Sequence, residues 1–463
     1  MVETNEGSES MLRKITKDNV GSIKNKALQQ YAQIYTNIEN ATIDHIETFG
    51  LPFQEQTSAT EKETKLKQLQ EAGAKIRNNN KSVVTNRLSS ACEACQTGTA
   101  SYTTYASLKC HRNCYFCFNP NQDDYTFYKN KQKDIKKELL DLINSGVSLK
   151  HLALTGGEPL LFKDETVEFF EAANQFIPDT HTRLYTTGDL LDEELLVKLN
   201  KANLNEIRFS IKMDDSINRI NYTLGRIELA KKYIPDVMVE MPVIPGTLNE
   251  MKVLLLKLDK LGIFGINLLE LCFPLSNAKA FKDRGFKLKY PPYEMYYNYW
   301  YAGGLAVADS EKECLELVEF ALNENLQLGV HYCSLENKHT GQVYQQNFSE
   351  KLNDDYTFSN IDYFFKTAKV FGKDTRKIRF LLEKNNISYT ENNQYDFIQF
   401  SIFAIKYLKN INIEIAISSN VVEGEKDEVS IREIGLDWTT PDLFNIETLI
   451  KGGEIHEFTN AII

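Results

Sequence analysis

No window of the sequence approaches the uninterrupted apolar length of a membrane-spanning helix, and no early stretch combines a basic start, an apolar run and a small-residue cleavage site. The resulting expectation is a cytoplasmic protein with no membrane partner. Positive charge is also short: 53 Lys and Arg stand against 64 Asp and Glu, a formal net charge of −11. That balance argues against a nucleic-acid partner, which calls for a basic surface. Cysteine is scarce, at eight in 463 residues (Cys92, Cys95, Cys110, Cys114, Cys117, Cys272, Cys314 and Cys333), and five of the eight fall between positions 92 and 117. Such clustering excludes a scattered disulfide framework and points to metal or redox chemistry. There is no internal repeat and no low-complexity segment.

What the chain does have is enough hydrophobic sequence, 42%, for one large core and at least one further unit. The first 90 residues read as helices, with Ser58 and Glu61 spaced as a capping box and Leu66, Leu69 and Ala72 on one face. NNNKS at 78–82 reads as a break. From residue 101, β-rich runs alternate with helical ones: SYTTYASL, HLALT at 151–155, TRLYTT at 182–187, EIRFSI at 206–211, VMVEMP at 237–242 and FGINLLEL at 264–271. Strands two to six recur at roughly 24–31 residue intervals, the rhythm of βα units in a parallel sheet. The expected fold is therefore α/β: a partial (β/α)6 TIM-like barrel with N-terminal helical and C-terminal α+β extensions. The expected boundaries are 1–90 for the helical region, 91–290 for the barrel, 291–350 for an auxiliary segment carrying Cys333, and 351–463 for the C-terminal region. The Tyr-rich run at 290–304 reads as packing.

Two metal readings compete for the clustered cysteines. Cys92, Cys95, Cys114 and Cys117 form C-x2-C-x18-C-x2-C, a spacing that suits a four-thiolate zinc site. That reading makes the chain a zinc-stabilised binding module without catalysis, and it leaves Cys110 unused. The other reading takes Cys110, Cys114 and Cys117, in C-x3-C-x2-C, as ligands of a 4Fe-4S cluster whose fourth iron stays open. With Phe116 before the third cysteine, this loop resembles the signature of the radical S-adenosylmethionine (radical SAM) superfamily. A second element of that family, GGEP, stands at Gly156, Gly157, Glu158 and Pro159 directly after HLALT.

The resemblance implies a cofactor site. Phe116 would pack near adenine, and the Gly156–Pro159 backbone and Glu158 would position the methionine amino group. Thr186 and Thr187 would approach the ribose, Ser210, Lys212 and Asp214 the carboxylate and ribose, and Ile244 would form the adenine shelf. It also implies reductive cleavage of S-adenosylmethionine to a 5′-deoxyadenosyl radical that takes hydrogen from a substrate, with flavodoxin or ferredoxin as the reducing partner. Cys92-x-x-Cys95, the segment 269–289 and VHYCSLENKHTGQVYQQN at 330–347 narrow the likeness to an uncharacterised group related to pyruvate formate-lyase activating enzymes. A second iron–sulfur cluster, or zinc, is expected at Cys92, Cys95 and Cys333. Cys272, at the end of the sixth strand, is expected to serve as catalytic hydrogen donor or metal ligand or to be a packed small residue, and Cys314 as an inert core thiol. The large flanking segments favour a peptide or protein substrate, with a small metabolite as the alternative.

Overall fold

The structure, a computed structural model, describes residues 12–55, 59–293, 295, 304–424 and 429–450. The Ser58 cap and most of the Tyr-rich run lie outside them. The chain forms two compact units, one built from residues 1–46, 295–297 and 342–463 and the other from 47–294 and 298–341.

The larger unit is a nine-stranded sheet. In chain order its strands are β1 (Lys75–Arg77), β2 (Ser82–Thr85), β3 (Ser101–Tyr105), β4 (His151–Thr155), β5 (His181–Thr186), β6 (Glu206–Phe209), β7 (Asp236–Val243), β8 (Gly265–Glu270) and β9 (Gly329–Cys333). Their order across the sheet is β1-β2-β9-β8-β7-β6-β5-β4-β3. The seven strands from β9 to β3 are parallel, whereas β2 and β1 are antiparallel additions. The sheet curls as a partial TIM-like barrel.

Two differences from the expected architecture stand out. A seventh parallel strand, β9, joins the six, and the region before residue 90 contributes the β1–β2 hairpin besides its helices. Three consecutive asparagines at left-handed φ, Asn78 (48°), Asn79 (49°) and Asn80 (65°), turn that hairpin. Asn tolerates this region because its short polar side chain can hydrogen-bond locally.

Alternation along the strands sorts the barrel. Leu152, Leu154, Leu184, Ile207, Phe209, Val237, Val239, Met241, Ile266, Leu268 and Val330 join the apolar core with the helices. Those helices follow the strands at Ile135–Asn144, Lys163–Phe176, Glu193–Lys201, Ile217–Ala230, Leu248–Leu261 and Ser310–Asn323. Asp134 and Asp192 cap two of them by accepting from Lys137 N (2.9 Å) and Leu195 N (2.8 Å), and Gly262 (φ 64°) ends a third. The intervening strand residues, among them Arg183, Tyr185, Arg208, Glu240, Asn267 and His331, belong to the opposite, polar face.

The smaller unit is an antiparallel sheet in the order Arg13–Lys14, Ser430–Thr439, Ile415–Glu423, Phe365–Phe371, Phe397–Phe400, Thr390–Asn392, with Thr357–Phe358 pairing with Phe365–Phe371. Helix Lys26–Glu47 packs its Leu28 and Ala32 on Phe371, Phe397 and Leu436. Helix Thr375–Lys384 packs Ile378 and Leu382 against Ala368, Val370 and Ile417. Helix Lys26–Glu47, from the N-terminal region expected to be helical, thus packs with the C-terminal α+β sheet.

Candidate active site

Parallel strands all end at one rim, and the expected cofactor residues follow those ends one after another. Cys110, Cys114 and Cys117 lie on the loop after β3 and are half-buried free thiols. The next loop, Gly156–Pro159 after β4, is bonded to it: Gly157 N donates to Ser107 O (3.0 Å) and Glu158 N to Lys109 O (2.9 Å), while Asn119 Nδ2 donates to Gly156 O (2.7 Å). The glycines are needed for this contact. A Cβ on Gly157 would lie 2.0 Å from Lys109 O, and one on Gly156 (φ 106°) 2.4 Å from Tyr105 Cβ. Their first use is thus to let one loop's backbone lie on the other's.

Glu158 is buried at 1% exposure, and its carboxylate is fully engaged. Oε1 accepts from Leu160 N (3.1 Å) and Thr186 Oγ1 (2.7 Å), and Oε2 accepts from Thr187 N and Thr187 Oγ1 (both 2.8 Å). Glu158 thereby ties the end of β4 to the end of β5, with the Thr187 hydroxyl donating to it.

The remaining rim residues are placed as follows. Lys212 is buried, and its positive charge favours the ionised thiols of Cys110 and Cys117, whose pKa values burial raises. Ser210 is half-buried and donates its backbone N to Thr186 O (3.0 Å), whereas Asp214 is exposed. Ile244 is buried after β7. Phe116 is half-buried, edge-on to Tyr115 with ring centroids 4.9 Å apart.

A tether not anticipated from the sequence holds the cysteine loop. Asp189 Oδ2 accepts from His111 Nε2 (2.6 Å), Arg112 Nε (2.8 Å) and Arg219 Nη2 (3.2 Å), and Asp215 Oδ2 accepts from Arg112 Nη1 (3.2 Å). Burial pushes the Asp189 carboxyl up, but the His111 bond and the charges of Arg112 and Arg219 outweigh it and hold it below the ordinary carboxylate value. His111 and Arg112 between Cys110 and Cys114, with Asp189 two residues after Thr187, were the available signal. Arg112 also donates its backbone N to Cys110 Sγ (3.4 Å).

Three thiols on one short loop are the donor type a 4Fe-4S cluster takes. Among the described residues no group of three His, Cys, Asp or Glu side chains is placed to hold a metal ion, the Cys110, Cys114 and Cys117 set and the Cys92, Cys95, Cys114 and Cys117 set alike.

A family model described as the radical SAM superfamily matches residues 105–258. The chain carries a radical SAM domain. This superfamily uses a 4Fe-4S cluster and S-adenosylmethionine, and the domain spans both loops described above. Over 219 residues the chain is 32% identical to a putative glycyl-radical enzyme activating enzyme of Methanocaldococcus jannaschii, covering 44% of this chain and 56% of the relative. It is 28% identical over 190 residues to a probable GTP 3′,8-cyclase of Pyrococcus abyssi, covering 39% and 60%. The chain therefore spans little more than half the length of these relatives. A solved structure of SuiB from Streptococcus suis bound to S-adenosylmethionine aligns at 15% identity and TM-score 0.32, over 37% of this chain and 41% of that one.

Outside the radical SAM domain, Cys272 follows β8 and is buried, its thiol pushed up to about 12 by burial. Cys314 is fully buried in the apolar core of helix Ser310–Asn323. Cys92 and Cys333 are buried and Cys95 is exposed. Among the described residues no helix is long and apolar enough to cross a membrane.

Proposed function

We propose that the chain is a radical SAM enzyme whose Cys110, Cys114 and Cys117 hold a 4Fe-4S cluster and whose substrate is a peptide or protein side chain. Cluster and S-adenosylmethionine together supply homolysis of the sulfur to 5′-carbon bond, giving a primary carbon radical able to take hydrogen from a substrate. The observation that carries the reading is the bonding of the Gly156–Pro159 loop onto Ser107 and Lys109, immediately before Cys110. A ligand resting on that backbone lies beside the cysteine loop.

The chain's own residues then have distinct tasks. Lys212 favours ionised thiols, and Asp189 and Asp215 hold the loop through His111 and Arg112. Phe116, Ser210, Lys212 and Ile244 line the rim where the cofactor would lie. Cys272, held as a neutral thiol by burial, suits hydrogen donation better than metal ligation. The electron comes from a flavodoxin or ferredoxin type partner. A protein substrate is supported by the relative named as an activating enzyme of glycyl-radical enzymes. The relative named for GTP supports a small metabolite as the second reading.

The test is anaerobic incubation with S-adenosylmethionine and dithionite. The wild-type protein is expected to form 5′-deoxyadenosine and Cys114→Ala none above the enzyme-free control. Equal yields from both proteins would contradict the assignment.

A further inference from the structure

The chain is acidic overall, yet residues 109–137 carry seven Lys and Arg against three Asp and no Glu. Five of those lysines fall between Lys129 and Lys137. Lys133 and Lys136 are paired, with Glu138 (3.5 Å) and Glu168 (3.3 Å). Lys129, Lys131 and Lys137 are exposed, and none of them pairs with a carboxylate among the described residues. Instead Lys131 Nζ stands 4.7 Å from the ring centre of Phe127 and Lys129 Nζ 5.5 Å from that of Tyr125.

Aromatic surface is interleaved with this charge. Phe127 is 49% exposed, and Phe118, next to Cys117, 52%. The short helix Tyr125–Asn130 borders an open cleft of about 660 Å³ lined by Gln122, Tyr125, Phe127, Asn130 and Lys131 among others, with Asp124 its one carboxylate. Hydrogen bonds fasten the segment to the approach of the cysteine loop. Leu108 N (3.0 Å) and Ser107 Oγ (2.7 Å) both donate to Tyr128 O, and Lys133 N donates to Ala106 O (2.8 Å). The backbone that leads into Cys110 is therefore the backbone that holds the lysines.

We propose that this surface, Phe118 to Lys137, is where an acidic flavin-carrying electron-transfer protein docks to reduce the cluster at Cys110, Cys114 and Cys117, a role that presupposes the radical SAM reading above. One electron leaves the reduced flavin, which is oxidised by one equivalent, and enters the cluster. Electron transfer weakens steeply with distance, so the donor must dock beside the cysteine loop. A chain with a net charge of −11 repels an acidic carrier, and a basic patch reverses that repulsion only where it lies, which orients the encounter. Interfaces of this kind are small, so three unpaired lysines are enough to steer them. The flat edge of a flavin matches Phe118, Phe127 and the cleft beside Phe127 through aromatic contact that an iron–sulfur carrier does not offer.

The test uses the full chain reconstituted anaerobically with iron and sulfide, with recombinant flavodoxin as the carrier. Lys129→Glu with Lys131→Glu and Lys137→Glu is compared with Lys232→Glu with Lys257→Glu and Lys260→Glu, an equal change of charge at exposed lysines on or just after helices Ile217–Ala230 and Leu248–Leu261. In titration calorimetry with oxidised flavodoxin, the first triple substitution is expected to raise Kd about tenfold or more and the second to leave it near wild type, with wild-type binding weakening as salt is raised. Formation of 5′-deoxyadenosine driven by reduced flavodoxin is expected to fall by a similar factor in the first variant, whereas formation driven by dithionite, which needs no docking, stays at the wild-type rate. Unchanged Kd in the first variant, equal losses in the two variants, salt-independent binding, or a wild-type protein that binds ferredoxin but not flavodoxin, or neither, would each overturn the proposal. Absence of dithionite-driven 5′-deoxyadenosine in the wild-type protein would instead overturn the radical SAM reading, and the docking role with it.

Discussion

His331 lies between Ser82 Oγ, 2.8 Å from Nε2, and Asn267 Oδ1, 2.9 Å from Nδ1. Asn267 already donates through its amide nitrogen, so its oxygen accepts from the ring, and Nε2 accepts from the serine: the ring is neutral. Burial, then the charges of Arg208 and Arg77, push its pKa down to about 3 despite Glu240. In the unfolded chain a histidine titrates near 6.5. Between these values the unfolded state binds the extra proton, so stability is complete above about pH 6.5 and falls as pH drops toward 3. Between pH 7.5 and 5 the wild type is expected to lose on the order of 2 kcal/mol more than His331→Gln in urea unfolding; equal losses would contradict this placement. At this scale the sequence was informative about identity and silent about partners. Glu158 could be recognised within GGEP, but its saturation by Thr186 and Thr187 depends on how β4 and β5 lie side by side. Asp189 carries no motif, and its role emerges only where His111, Arg112 and Arg219 meet it.

Elements were legible where periodicity was strong. HLALT at 151–155 is β4, and EIRFSI at 206–211 contains β6. β9 was not, because GVHYC is five residues, buried on both faces, and such a run has no alternation to betray it. The β1–β2 hairpin was missed because three asparagines read as a break when they are the turn. Loop contact gives the element-scale prediction. Gly157→Ala drives a Cβ into Lys109 O and so forces the GGEP loop off the cysteine loop; reconstituted iron is expected to fall to a minor fraction of wild type. At Gly225, inside helix Ile217–Ala230, an added Cβ would meet nothing within 4 Å, so Gly225→Ala should retain iron and stabilise the protein by about 0.5–1 kcal/mol. Iron contents by colourimetric assay and thermal unfolding check both, and equal iron in the two variants would contradict the loop contact.

Across the whole molecule, the barrel class followed from the spacing of the βα units, while the unit boundaries did not. Helix Lys26–Glu47 packs with strands more than 300 residues later in the chain, a pairing that depends on long-range contact and leaves no local pattern. The matched domain, residues 105–258, lies wholly within the larger unit, and both loops of the candidate site lie within that match. The central claim is that these two loops form one site for cluster and S-adenosylmethionine. Electron paramagnetic resonance of the anaerobically reduced protein, recorded with and without S-adenosylmethionine, tests it most directly. The account predicts a reduced-cluster signal whose g-values shift on addition of S-adenosylmethionine, with the signal absent from Cys110→Ala with Cys114→Ala and Cys117→Ala. An identical spectrum with and without S-adenosylmethionine in the wild-type protein would contradict it.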